Sequence, residues 1–304
     1  MEQALKNRLT YGPLMLAALF LLLWLDYAVQ QWTLSRVVIN GHPIGIGGVG
    51  FGVLLLVIVP QATYELANLF AAEKVRPYRV LSGFASALLI VHAFCTQFDA
   101  FKPYAASSLA FIIVFVMLLA ALLRALDRQT QEAIHHMAGT LLATLYLGGL
   151  AWFLMSIRVK VALDETGAIK FQGTTMKILL LLLVVKFTDI GAYFGGRAFG
   201  RHKLIFWLSP GKTWEGLGFG LITAGLVGAA IAPAIPGLSY FQAALFGVLI
   251  GGIGQCGDLL ESMMKRDAEV KDSGTLVPGF GGVLDIIDSP LLAAPFAYLV
   301  FSLL

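Results

Sequence analysis

Acidic, hydroxyl and basic side chains crowd the stretch 258–288, which lies between two apolar segments of membrane-spanning length. Asp258, Ser262 and Lys265 are spaced i, i+4 and i+7, so they share one face if the first of these helices continues past its apolar part. Ionised groups are costly in lipid, and carboxylates at the ends of spanning helices therefore indicate an ion, a substrate or a polar cavity. The alternative is a solvated helix end with a Glu261–Lys265 pair.

A second acidic pair, Asp285 and Asp288, follows at the start of the next apolar segment. A helix that begins near Gly282 and kinks at Pro290 is long enough to span a membrane, whereas one that begins at Ser289 is too short. In the longer helix the two aspartates lie one turn apart. Ionised carboxylates repel each other unless a cation lies between them, and carboxylate and phosphate oxygens suit Mg²⁺. The alternative is a bond to Lys or Arg of another helix.

Two smaller polar clusters precede this stretch. The run 209–213, Ser-Pro-Gly-Lys-Thr, predicts a helix with Ser209 as N-cap and Pro210 at its first position, so that free N–H groups and Lys212 form an anion site. An ordinary capped helix with a snorkelling lysine is the alternative. Lys186 and Asp189 precede a glycine-rich turn and basic residues, which favours a phosphate-facing surface. Mutual neutralisation of the two side chains is equally compatible with their spacing.

The composition places the chain in a membrane. Of its 304 residues, 58% are hydrophobic and only 13% are charged, which excludes a soluble globular protein. The net charge of +3 and the lack of a long basic run argue against nucleic-acid binding. Two cysteines in apolar segments, Cys95 and Cys256, provide no disulfide framework.

Long apolar runs predict an all-α polytopic integral membrane protein, a bundle of about nine transmembrane helices. Residues 1–157 are predicted to be lipid-facing scaffold, and residues 158–304 to form the catalytic region with the signature 258–288. The predicted spans are 13–32, 46–70, 80–98, 105–125, 138–157, 176–195, 214–234, 240–257 and 282–304.

The distribution of basic residues predicts a cytoplasmic N-terminus. In that orientation fourteen of the 21 lysines and arginines lie on the cytoplasmic side and six on the other, as the positive-inside rule favours. The loop 158–177 argues the other way, because it carries four of those six; its Asp-Glu-Thr-Gly turn, 164–167, predicts a small exposed hairpin. With a cytoplasmic N-terminus, the polar clusters of the C-terminal half face the cytoplasm.

Three stretches resemble the phosphatidate cytidylyltransferases, also called CDP-diacylglycerol synthases. The longest follows the family line S-x-x-K-R, K-D and P-G-H-G-G-x-x-D-R-x-D from Ser262 to Asp288. The stretches 189–194 and 209–216 support it, and the resemblance covers about a third of the chain. Phe280 stands where the line has His and Ile286 where it has Arg, so no role of those two side chains carries over.

The resemblance implies an enzyme of phospholipid biosynthesis that joins phosphatidate and CTP to give CDP-diacylglycerol and pyrophosphate. It implies a bacterial inner-membrane location with the active site facing the cytoplasm, and it suggests a homodimer. Mg²⁺, with a second cation as an option, is predicted at Asp258 and Asp285. The predicted catalytic residues are Asp258, Lys265, Asp285 and Asp288, and the predicted substrate-binding residues are Asp189, Ser209, Lys212, Ser262, Arg266 and Lys271.

Two other functions remain open at this point. A CTP-dependent polyprenol-type lipid kinase differs in that its product carries no cytidine. A secondary transporter would use the intramembrane acids as an ion path, but these acids cluster at one face and not at the midplane.

Overall fold

The computed structural model of the chain describes residues 2–39, 42–43, 45–72, 75–128, 130–160, 162–163, 169–170 and 172–303. These residues are mostly helical. A π-helical turn, Thr144–Gly149, joins the helices Ala133–Ala143 and Leu150–Val159 into one continuous helix. The helices are α1 Glu2–Leu34, α2 Val49–Ala72, α3 Arg79–Cys95, α4 Ala105–Leu126, α5 Ala133–Ala143, α6 Leu150–Val159, α7 Gln172–Phe199, α8 Trp214–Ile231, α9 Tyr240–Asp267 and α10 Leu284–Leu303.

Within the described residues, eight helices are long and apolar enough to cross a membrane. They match eight of the nine predicted spans. The remaining predicted span, 80–98, corresponds to α3, which is apolar but has only 17 residues. A helix of that length rises about 26 Å, slightly less than the hydrocarbon core of a bilayer. The prediction of an all-α polytopic membrane protein is confirmed.

Short antiparallel hairpins interrupt the helices. They are formed by β1 Val38–Ile39 with β2 His42–Pro43, by β3 Ala162–Leu163 with β4 Ile169–Lys170, and by β5 Lys203–Ile205 with β6 Ser209–Thr213. The second hairpin agrees with the one predicted for the loop 158–177, whose turn, 164–167, lies outside the described residues.

The prediction that Ser209 caps a helix is wrong. Ser209 pairs with Ile205 in the third hairpin, and α8 begins only at Trp214. Thr213 is the cap instead, because its Oγ1 accepts a hydrogen bond of 3.1 Å from the backbone N–H of Gly216. Lys212 therefore lies at the end of a strand that leads into the helix.

The chain forms two compact units. The first contains Met1–Lys160 and Asp272–Ile286, and the second contains Val161–Lys271 and Ile287–Leu304. The sequence division placed the segment 272–286 with the C-terminal region, whereas in the structure it belongs to the unit of the N-terminal helices.

In the first unit α3 is the central helix, packing against α2, α4 and α6. Ala85 and Leu89 of α3 form a buried cluster with Ile112 and Val116 of α4. The two helices therefore pack against each other through apolar side chains.

The second unit is built on α7, α8 and α9, which pack against one another. A capping box starts α9: Ser239 Oγ accepts from the N–H of Gln242, and Gln242 Oε1 accepts from the N–H of Ser239. Phe246 of α9 stacks on Phe301 of α10 with ring centroids 4.6 Å apart. The helix α9 continues without a break to Asp267, so its polar end keeps helical geometry.

A buried ion pair links α1 to α6 in the first unit. Arg158 Nε donates to Asp26 Oδ2 at 2.8 Å, and Arg158 Nη2 donates to Gln30 Oε1 at 2.9 Å. The backbone N–H of Gly50 donates to the other oxygen of Asp26 at 2.9 Å. Arg158 was predicted to lie in the loop 158–177, but it belongs to the last turn of α6 and its side chain is 0% exposed.

Replacing Asp26 with alanine should strongly destabilise the first unit, because it leaves the Arg158 guanidinium buried without its carboxylate partner. Losing one partner of a buried pair costs about 3–5 kcal/mol. Thermal unfolding in detergent measures the effect. The matched control is Asp99→Ala, which removes the exposed Lys102–Asp99 pair and should cost at most about 1 kcal/mol. Equal midpoints for the two variants would contradict a structural role for the buried pair.

Candidate active site in the second unit

Three carboxylates converge in the second unit. Asp258 and Glu261 of α9 and Asp288 of α10 each offer an oxygen atom, and these oxygens all lie within 4.8 Å of one another. Glu261 is 1% and Asp288 3% exposed, whereas the side chain of Asp258 is 36% exposed. The cluster is thus buried on the side of Glu261 and Asp288 and open on the side of Asp258.

The close approach of α9 and α10 places Asp288 in this cluster. A Cβ atom at Gly257 would lie 3.0 Å from both the carbonyl oxygen of Asp288 and the Cα of Ser289. A side chain at position 257 would therefore push the two helices apart. As predicted, α10 begins well before Pro290 and continues through it, so Asp288 lies within its first two turns.

Lysine side chains border the acidic cluster. Lys212 Nζ lies 2.5 Å from Asp258 Oδ2 and donates to Gln255 Oε1 at 3.1 Å. Lys265 Nζ lies 2.9 Å from Glu261 Oε2. The pair Glu261–Lys265, which the sequence suggested as a solvated contact, is instead largely buried, with side-chain exposures of 1% and 12%.

Gln255 connects the cluster to α7. Its Nε2 donates to Asp189 Oδ1 at 2.5 Å, which fixes the amide so that Oε1 faces Lys212. Lys186 interacts electrostatically with both Asp189 and Asp288. The two residues that the sequence paired one turn apart on α7 therefore both belong to this site.

Four carboxylates and three ammonium groups meet here, those of Asp189, Asp258, Glu261, Asp288, Lys186, Lys212 and Lys265. Three carboxylate oxygens at such short separations form a ligand set that Mg²⁺ accepts. The positively charged lysine side chains can bind negatively charged phosphate groups. The arrangement is therefore chemically suited to bind a divalent cation together with a phosphate ester.

The remaining predicted substrate-binding residues lie outside these contacts. Ser262 is half-buried on α9, and Ser209 is half-buried in β6. Arg266 is exposed and its Nη1 donates to the carbonyl oxygen of Val270 at 3.3 Å. Lys271 is exposed in the segment after α9. Substrate binding by these four residues stays a prediction.

Asp285 has a different environment, within the first unit. Its Oδ2 accepts hydrogen bonds from the N–H of Ser273 at 3.0 Å, from Ser273 Oγ at 2.9 Å and from the N–H of Gly282 at 2.7 Å. Such bonds hold the loop before α10 in place. The metal binding predicted for Asp285 is untested by these contacts, which give its carboxylate a structural role in the loop.

Glu261 and Gln255 were missed as site residues by the sequence reasoning. Glu261 lies three residues after Asp258 and thus on the same helix face, a spacing that could have identified it. Gln255 is a polar residue in an otherwise apolar run, which is also a usable signal.

The sequence is similar to several known proteins. The sequence matches the cytidylyltransferase family over residues 28–304. It is 32% identical over 261 residues to the phosphatidate cytidylyltransferase of Bacillus subtilis, covering 85% of this chain and 91% of that protein. It is 31% identical over 289 residues to the phosphatidate cytidylyltransferase of Synechocystis, covering 85% and 90%. An uncharacterized protein of Escherichia coli, YnbB, is 40% identical over 163 residues, covering 53% of this chain and 51% of that protein.

The family match includes every residue of the acidic cluster and every lysine that borders it, and two relatives align over 85% of the chain. This protein is a member of the cytidylyltransferase family.

Proposed function

We propose that the protein joins phosphatidate and CTP to give CDP-diacylglycerol and pyrophosphate. The relatives named phosphatidate cytidylyltransferase support this reaction. The observation that carries the proposal is the convergence of Asp258, Glu261 and Asp288 beside lysine side chains, because both substrates are phosphate esters.

We assign the metal site to Asp258, Glu261 and Asp288, so that Glu261 and Asp288 take the place that the sequence analysis gave to Asp285. Their oxygens lie close together, and close carboxylates are stable as anions when a cation compensates them. These three carboxylates would hold Mg²⁺, which would supply neutralisation of the charge on the phosphate oxygens. A second cation, predicted from the resemblance, remains part of the proposal.

In the proposed reaction a phosphate oxygen of phosphatidate attacks the α-phosphorus of CTP. The new P–O bond forms as the bond between the α-phosphorus and the oxygen bridging to the β-phosphate breaks, and pyrophosphate leaves with that bond's electron pair. The nucleophile is already anionic, so the protein supplies position and charge rather than a base.

Lys212 is placed to hold a phosphate group at the open side of the cluster, because it reaches Asp258, the most exposed of the three acids. Gln255 holds Lys212 at that side through its bond to Asp189. The ammonium group of Lys265 compensates the negative charge of the buried Glu261. Phosphate groups are thus expected to approach past Asp258 and Lys212.

The location of the site also belongs to the proposal. The apolar helices make this an integral membrane protein, and we place the site at the cytoplasmic face of a bacterial inner membrane, where CTP is available. A homodimer, suggested by the family resemblance, stays a prediction.

The reaction is tested with detergent-solubilised protein, phosphatidate and Mg²⁺. CTP radiolabelled at the α-phosphate should transfer its label to the lipid phase, whereas CTP labelled at the γ-phosphate should not. Transfer of the γ-label to a polyprenol-type alcohol would instead identify a lipid kinase. Absence of label from lipid in both experiments, with folded protein, would overturn the proposed reaction.

The metal assignment predicts opposite behaviour for two neighbouring aspartates. Asp288→Asn removes one proposed ligand and should lower kcat about 100-fold or more, the scale at which a lost electrostatic group acts, and it should weaken Mn²⁺ binding followed by electron paramagnetic resonance. Asp285→Asn should keep Mn²⁺ binding and lose thermal stability. The assignment fails if Asp285→Asn abolishes Mn²⁺ binding while Asp288→Asn preserves it.

The close helix approach predicts the effect of a side chain at Gly257. Gly257→Val should lower kcat at least about 10-fold, because it displaces the backbone of Asp288, and small misplacements of reacting groups cost rate steeply. Gly218→Val on α8 is the control, since a Cβ there meets nothing within 4 Å. Initial rates in the labelled-CTP assay measure both variants. Wild-type activity of Gly257→Val would show that this contact does not position Asp288.

A further inference from the structure

Glu65 of α2 is a buried carboxylate in the first unit, 4% exposed, that the sequence analysis did not single out. Its Oε2 accepts from the N–H of Leu284 at 2.9 Å and lies 3.2 Å from Ser273 Oγ, whose single hydroxyl proton it shares with Asp285 Oδ2. Its Oε1 accepts from the N–H of Val283 at 3.1 Å. These three partners belong to the segment 272–286, which lies far from α2 in the sequence.

Two of these bonds end at the start of α10. The first N–H groups of a helix have no acceptor within the helix, and a negative charge there is favoured by the helix dipole. Glu65 therefore acts as an N-cap supplied by another helix. Both carboxylate oxygens of Glu65 accept hydrogen bonds from backbone N–H groups, which is the task of an N-cap side chain.

The loop before α10 is shaped to admit this carboxylate. Ser273 Oγ lies within hydrogen-bonding distance of both Glu65 Oε2 and Asp285 Oδ2, so it connects the two acids. A Cβ atom at Gly282 would overlap Ser273 Oγ and Glu65 Oε2. Position 282 thus requires glycine because Glu65 occupies the adjoining space.

We propose that Glu65 is a positioning residue for the transfer reaction: it holds the segment 273–284 and sets the start of α10, the helix whose following turn carries Asp288. The inference rests on the proposed function, because it concerns the same acidic cluster. It assigns the N-terminal helices a part in catalysis through the backbone of α10. Glu65 itself touches no substrate in this proposal.

The test is Glu65→Gln, followed by hydrogen exchange and by kinetics. The amide places an NH₂ group among hydrogen-bond donors, so the amides of Val283 and Leu284 should exchange at least about 10-fold faster while helix α9 exchanges as in the wild type. The kcat should fall about 10- to 100-fold, as expected for a displaced catalytic group. The KM for CTP should change by less than about threefold, because Lys212 and the exposed side of the cluster are not altered.

The control is Asp26→Asn, which changes another buried carboxylate of the same unit. It should lower thermal stability but leave the exchange of Val283 and Leu284 and the kcat unchanged at a temperature where the protein is folded. Gly282→Ala is a second route to the same effect, because its methyl group displaces Glu65; it should reproduce the faster exchange and the lower kcat if Glu65→Gln does not fold.

Three results would overturn the proposal: unchanged exchange of Val283 and Leu284, faster exchange with wild-type kcat, or an equal kcat loss in Asp26→Asn. A failure of this proposal can be distinguished from a failure of the proposed function. If wild-type protein transfers no label from CTP to phosphatidate, the proposed reaction fails and the positioning role fails with it. The exchange measurement then still decides whether Glu65 caps α10.

Discussion

Carboxylates that are buried close together in an apolar helical unit repel one another, and the second unit is organised around this constraint. Glu261 and Asp288 are almost fully removed from solvent, while Asp258 keeps part of its surface exposed. Lysines at the border offset part of the negative charge, because Lys212 contacts Asp258 and Lys265 contacts Glu261. Arrangements of this kind are costly for stability and are typical of sites that bind a charged ligand. Gly257 contributes to this arrangement, because the lack of a side chain there lets the backbone at Asp288 approach α9 closely.

The helices and part of the acidic site could be predicted from the sequence. Apolar runs determine where helices cross a membrane, so the helices and the path of α10 through Pro290 followed from length alone. Helical spacing placed Asp258 and Lys265 on one face. The strand at Ser209 was not predicted, because serine followed by proline is typical of a helix start, whereas Ser209 instead pairs with Ile205 in a hairpin. The environments of Asp285 and Asp288 were also out of reach, since one turn of helix does not reveal which neighbours each side chain meets.

The N-terminal helices are more than apolar scaffold. Asp26 and Arg158 form a buried pair, and Glu65 is bound by the loop before α10. Single acids within apolar spans are costly in lipid, and that cost is itself a signal that a partner exists elsewhere in the chain. Phe280, where the family line has histidine, lies in the same loop, with its ring 3.4 Å from the place where a Cβ of Gly12 on α1 would stand. At this position the protein therefore has an apolar ring close to α1 and no titratable side chain.

The grouping of residues 272–286 with the N-terminal helices has a consequence for biosynthesis. A chain is made from its N-terminus, so α1 to α6 enter the membrane before the loop that binds Glu65 exists. The first unit reaches its final hydrogen bonding only after residues 161–271 have been synthesised. Until then the glutamate of α2 must be accommodated by water, lipid headgroups or the insertion machinery.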